Sequence, residues 1–272
     1  MQGVPARADA IKTGPDLSAS ARREARQLRR DILAGLAARE FPLTFMPRFA
    51  IAAPKVTAVE GVLRWQHRRR GAISETALMA LAEKAGATPE LQRWAFASGC
   101  ETLAGLPRGL RLALNLTPWQ VRHPGLFSAL YAALDAHDLH PHQLELTLSE
   151  SALETLDSEA QLVLAGLFDE GFSLAVGQFG SLVGSLTLLA RLPLDRVKLG
   201  SELVRRVPRD PDAMAVVGAV VAVARSLGAR VVATGVETEA QRAALAGLGC
   251  DEAQGPFYGQ PVAAGHLVNL VA

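Results

Sequence analysis

The sequence predicts an α/β protein, a TIM-type (β/α)8 barrel modified by one antiparallel strand, and three observations predict it. From Pro42 to the C-terminus, short apolar segments of strand length alternate with amphipathic stretches of helix length. Connections after the second segment, such as 152–168 and 212–227, are long enough for crossover helices, which dictates parallel pairing. The first two segments are separated only by 52–56, with Pro54 and Lys55, and so short a link forces that pair antiparallel.

The strands are expected at 43–51, 57–65, 110–116, 143–148, 172–178, 194–199, 229–233 and 251–254. The uninterrupted apolar runs at 112–114 and 174–176 suit strands covered on both faces. A doubly wound open sheet shares this period and stands as the alternative, because periodicity does not prove closure. With 272 residues, 49% of them apolar, the chain can bury one large core, and a barrel of roughly 250 residues fills that length. Residues 1–16 carry Gly3, Pro5, Gly14 and Pro15 without any period and read as a disordered lead. Residues 17–40 read as a helix, with Leu28, Ile32, Leu33 and Leu36 at helical spacing beside an arginine-rich face. Residues 41–272 read as the barrel domain.

A formal charge of +1, from 28 basic and 27 acidic side chains, gives no global field toward nucleic acid or an anionic membrane. The basic run His67 to Arg70 lacks interleaved aromatics and reads as a solvated loop. Cys100 and Cys250 have no metal-type spacing and read as buried reduced thiols. No apolar run reaches the ~18 residues of a spanning helix, so a cytoplasmic protein with neither membrane nor nucleic-acid partners is expected.

In such a barrel the reactive side chains project from the C-terminal strand ends. Those positions hold Glu60, Asn115, Thr147 with Glu150, Gly177 with Gln178, Lys198, Thr234 with Glu237, and Gln254. The set is polar but poor in acid.

At these positions the sequence resembles a known family. Glu60-Gly61-Val62-Leu63-Arg64-Trp65 resembles the E-A-L-L-R-W signature of EAL phosphodiesterases, Asn115-Leu116-Thr117 their N-L-S, and 147–151 their E-x-T-E-S. Further on, Gly177-Gln178-Phe179-Gly180-Ser181 is similar to D-D-F-G-T, 197–200 to L-K-I-D, 234–238 to E-G-V-E-T, and Gln254-Gly255 to the closing Q-G. The order and spacing of these matches, running from about Phe41 to the C-terminus, make the resemblance specific.

The resemblance implies hydrolysis of cyclic di-GMP by two Mg2+ or Mn2+ ions, which activate a water and neutralise phosphate charge. Hard cations need several anionic oxygens. Of the implied ligands Glu60 and Asn115 survive, whereas Thr147, Gly177, Gln178 and Thr234 stand where acids are expected. The expectation is therefore a degenerate member that is not an enzyme, binds no metal and needs no cofactor. It would act in cyclic di-GMP signalling through an unknown protein partner or a second copy of the chain, or alternatively as a metal-independent cyclic di-GMP receptor. An active phosphodiesterase is the remaining alternative.

For the receptor reading, the vestigial groove would comprise Glu60, Leu63, Arg64, Asn115, Glu150, Lys198, Glu237 and Gln254. Arg64 would offer its planar fork to a phosphate, with Leu63 as an apolar wall. Lys198 would pair with Glu60 or Glu150, or meet phosphate directly. Glu150 resembles the acid that steadies the loop after the D-D strand. Glu237 would approach a guanine edge or sit in the first turn of a helix beginning near Thr238. Leu182, Val183 and Leu186 would form an apolar patch for a partner.

Overall fold

The computed structural model describes residues 19–53, 55–180 and 186–271. The expected disordered lead, together with Leu182 and Val183, lies outside them. An N-terminal helix α1 (Ala19–Ala37) precedes the strands β1 (Leu43–Ala50), β2 (Val56–Leu63), β3 (Trp65–His67) and β4 (Gly71–Ile73). Helices α2 (Glu75–Ala85) and α3 (Thr88–Ala104) follow. Next come β5 (Arg111–Asn115), β6 (Leu144–Ser149), β7 (Ser173–Phe179), β8 (Arg196–Leu199), β9 (Arg230–Thr234), β10 (Glu252–Gln254) and β11 (Val262–Ala263), with helices between.

Closure is what separates a barrel from the open-sheet alternative, and β1 provides it. That strand pairs antiparallel with β2, Met46 opposite Glu60, and also antiparallel with β10, Phe49 opposite Ala253. From β2 through β5, β6, β7, β8 and β9 to β10 every pairing is parallel. The reversed strand is therefore β1, imposed by its short link to β2.

Alternate residues of a strand share a face, and this builds two stacked polar layers inside the barrel. The lower layer is an ion network. Arg48 of β1 donates to both carboxylate oxygens of Glu145 on β6, at 2.8 and 2.7 Å. Arg196 of β8 donates to Glu252 of β10 at 2.9 Å and to the Ser173 hydroxyl of β7 at 3.3 Å. Cross-contacts of 3.3 Å (Arg48 to Glu252) and 3.2 Å (Arg196 to Glu145) join the two pairs. All four charged residues are buried. Two positions further along β6, β8 and β10 come Thr147, Lys198 and Gln254, so the upper layer lies at the C-terminal mouth.

Two features near the mouth depart from the sequence reading. His67 to Arg70 is not an open loop: it turns the β3–β4 hairpin, where the buried His67 ring accepts from the Arg69 and Arg70 amides through Nδ1. The hairpin then returns the chain so that α2 starts beside the barrel. Ser74 caps that helix by accepting from the Ala77 amide, and Gly86 closes it at φ 63°, a left-handed conformation suited to glycine.

Helix α1 packs on α2 through buried Leu28 and Ile32, and Arg29 reaches Glu90 of α3. Among the described residues no helix is long and apolar enough to cross a membrane. Both cysteines are buried and free, and burial pushes each thiol up to about 12.

Candidate functional site at the barrel mouth

Glu60 is the hub of the upper layer. One of its oxygens accepts from Lys198 Nζ at 2.7 Å and from Gln254 Nε2 at 2.7 Å. Burial works to raise this carboxyl, but the Lys198 charge and both hydrogen bonds outweigh it and hold the group below the ordinary carboxylate range. The Lys198 side chain is only 3% exposed. Its ammonium is thus spent on Glu60 instead of facing solvent.

A second carboxylate enters from outside the strands. Glu75, the first residue of α2, accepts from Asn115 Nδ2 at 2.8 Å and, through its other oxygen, from the Leu63 amide at 3.4 Å. Burial pushes the Glu75 carboxyl up to about 7; Glu60 adds to the rise, while the Asn115 and Leu63 bonds oppose it. No motif flags this residue. Its only signal was an acid immediately after a serine cap, ordinary at a helix N-terminus, and the hairpin that carries it back to the mouth was not legible.

The positions of the missing acids are filled in other ways. Thr147, paired with Asn115 across β5 and β6, is buried, and its Oγ1 has no hydrogen-bond partner among the described residues. Gln254 is buried too, and its Oε1 likewise has no partner among the described residues. The Thr234 hydroxyl donates to the Leu199 carbonyl at 2.6 Å. Gly177 and Gln178 form a bulge where the β7–β8 register shifts, Gln178 adopting φ 56°.

A Cβ added to Gly177 would stand 2.9 Å from Thr147 Cγ2, so the two replacements fit each other. Gly177→Asp alone is expected to cost about 1–3 kcal/mol, read as a lower urea midpoint. Thr147→Ser in the same chain should recover part of that loss, because serine lacks Cγ2.

The remaining candidates disperse. Glu150 accepts from the Gly180 amide at 3.0 Å, tying the start of its helix to the β7 exit. Glu237 is exposed and precedes Thr238, the cap of the helix Glu239–Gly247, so it lies just outside the first turn instead of in it. Leu63 is 2% exposed and belongs to the core, not to a groove wall. Arg64, the next residue, is exposed, and its guanidinium forms no ion pair with the described residues. Of the apolar patch expected for a partner, Leu186 is 38% exposed.

The two cations that the resemblance implies can be tested against this donor set. Among the described residues no three His, Cys, Asp or Glu side chains gather as a metal-binding group. Thr147, Gly177, Gln178 and Thr234 offer no carboxylate, so the strand ends do not suit a cation pair. The oxygens that do surround the mouth are those of Glu60, Glu75, Asn115, Thr147 and Gln254. Glu60 is paired with the Lys198 ammonium at 2.7 Å, and both Glu75 oxygens already accept hydrogen bonds, so this set does not suit a hard cation either.

The sequence profile described as EAL domain matches residues 25–261. The bifunctional diguanylate cyclase/cyclic di-GMP phosphodiesterase MucR of Pseudomonas aeruginosa is 34% identical over 251 residues, 90% of this chain and 36% of MucR. The cyclic di-GMP phosphodiesterase RocR of the same organism is 29% identical, covering 88% of this chain and 62% of RocR. The chain thus spans about a third of MucR's length and less than two thirds of RocR's. Among solved structures, the MucR phosphodiesterase in complex with c-di-GMP superposes with TM-score 0.80 at 33% identity, covering 89% of this chain and 99% of that one.

These relatives correct the expectation that the chain is not an enzyme. Proteins named as cyclic di-GMP phosphodiesterases stand at 29–34% identity to it. With the reversed β1, the parallel remainder of the barrel, the ordered motifs at its mouth and the profile match over residues 25–261, the chain belongs to the EAL domain family.

Proposed function

We propose that the chain binds cyclic di-GMP across the mouth of its barrel. The observation that carries this reading is Arg64. It stands at the mouth directly after β2, exposed and without an ion-pair partner among the described residues, while the other cation of the site, Lys198, is committed to Glu60. A free guanidinium matches a phosphate diester in shape and charge. The relative that superposes with TM-score 0.80 was solved as a c-di-GMP complex.

The buried part of the mouth offers mainly acceptors, which a doubly anionic ligand would avoid unless charge were supplied. Arg64 supplies it from the rim. This chain's own contribution is to hold the phosphate at the rim and to keep Glu60 charged beneath it through Lys198.

Calorimetric titration of the full chain with cyclic di-GMP in EDTA tests the reading. Saturable binding is expected, weakened on the order of ten- to a hundredfold by Arg64→Ala, the loss of one charged hydrogen-bond pair. No heat at high nucleotide concentration, or unchanged affinity in Arg64→Ala, would refute it. Chromatography of the same mixture with Mn2+ reports whether the linear dinucleotide is formed.

A further inference from the structure

On the outer helical layer α3 packs against the helix Leu126–Asp135, yet the facing residues do not fill the space between them. A cavity of about 270 Å3 remains, walled by Ala97 of α3 and by Ala129, Ala132, Ala133 and Ala136 of the other helix and its C-cap. Side chains this small cannot interdigitate, so the groove between the helices stays open. The volume is close to the ~300 Å3 at which small-molecule sites begin. No residue of the barrel mouth takes part in it.

The polar groups that enter this apolar space are chiefly donors. Gln92 of α3 lines the cavity while only 3% exposed, and its side-chain nitrogen has no hydrogen-bond partner among the described residues. A buried donor is costly to leave unmatched, and a ligand oxygen in the cavity would match it. His123 lines the same space. Its Nδ1 accepts from the Gly125 amide at 3.0 Å, so the neutral ring carries its hydrogen on Nε2, and stacking on Trp119 with centroids 4.8 Å apart holds the ring in place. Arg93, at the rim, is exposed and forms no ion pair with the described residues. None of the described residues lining the cavity is acidic.

We propose that this cavity is a ligand site, separate from the mouth, for a small carboxylic acid with an apolar body. The carboxylate takes the Gln92 amide and the Arg93 guanidinium, charge-assisted bonds that a neutral head would not match. The body lies along the alanines, where each methylene gains from leaving water. From Gly125 to Ala136 the lining follows roughly 16 Å of helix, enough for a medium-chain tail. An ammonium head in the same place would meet Arg93 and no acid.

Decanoate is the probe, titrated calorimetrically into the full chain without nucleotide or metal, with decyltrimethylammonium as the control of opposite charge. Saturable binding of one decanoate per chain is expected, and the control should bind roughly tenfold more weakly. Ala132→Leu, at an exposed helix position, should fill the groove and abolish binding. Arg93→Ala should weaken it roughly fivefold, the loss of one exposed ion pair. Gln92→Leu should weaken it about tenfold without lowering the thermal unfolding midpoint, because it removes an unmatched donor from the free protein. Should a variant fold poorly, the unmodified chain decides: decanoate should shift the Gln92 side-chain amide and Ala132 methyl resonances with one common half-saturation. No saturable binding, equal affinity for decyltrimethylammonium, binding untouched by Ala132→Leu, a Gln92→Leu chain with a lower midpoint and unchanged affinity, unmoved Gln92 amide resonances, or a dimer of the chain that Ala132→Leu dissociates would each overturn the proposal.

Discussion

Replacing Glu145 with leucine should cost the barrel about 3–5 kcal/mol. Glu145 is fully buried and takes both arms of the Arg48 guanidinium while touching Arg196. Without it, two buried arginines share Glu252 alone, and an uncompensated charge remains in a medium that solvates it poorly. Urea denaturation measures the loss. Replacing Arg48, Glu145, Arg196 and Glu252 together with apolar residues of matching volume should cost far less, because the penalty comes from breaking the network and not from lacking it. If Glu145→Leu and the fourfold variant were equally destabilised, packing and not charge would be the cause.

The same network sets an acid limit. Burial opposes ionisation of Glu145, but Arg48, with help from Lys198 and Arg196, overrides it and holds the carboxyl at about 2. Its folded value lies below the unfolded one near ~4.5. The stability it contributes is therefore complete above that unfolded value and is lost as pH falls toward 2. Glu252 is held low as well, its burial outweighed by Arg48 and Arg196, and adds a loss of the same sign.

The barrel was legible in the sequence because its grammar is local. Apolar runs such as 112–114 coincide with β5, and the link at 52–56 reversed β1 without any tertiary information. Asn115, Thr147, Lys198 and Gln254 could be placed at strand ends because strand position dictates the mouth. What stayed hidden depends on return paths. The turn at His67 to Arg70 looks like a charged loop until its ring is seen to cap the hairpin, and only that hairpin brings Glu75 to Asn115. The interior layers were equally hidden. Arg48, Glu145, Arg196 and Glu252 come from separate strands and become partners only when the sheet closes on itself.

Lys198→Met should invert the pH dependence of stability that Glu60 contributes. In the present chain Glu60 is held below the ordinary carboxylate range, so its contribution is present above the unfolded value and is lost as pH falls through the folded one. Removing the ammonium at 2.7 Å leaves burial, the largest influence on this group, opposed only by Gln254 and the more distant Arg48. The carboxyl should then titrate above its unfolded value, and stability should be greatest in acid and decline as pH rises through the new folded value. The penalty relative to the unmodified chain should be on the order of 3 kcal/mol near neutrality, where a partly buried carboxylate has lost its partner, and should shrink toward pH ~4, where protonation removes the charge. Urea midpoints for both chains across that range decide the matter. A penalty that stays constant with pH would mean that Lys198 acts through its aliphatic stem and not through its charge on Glu60.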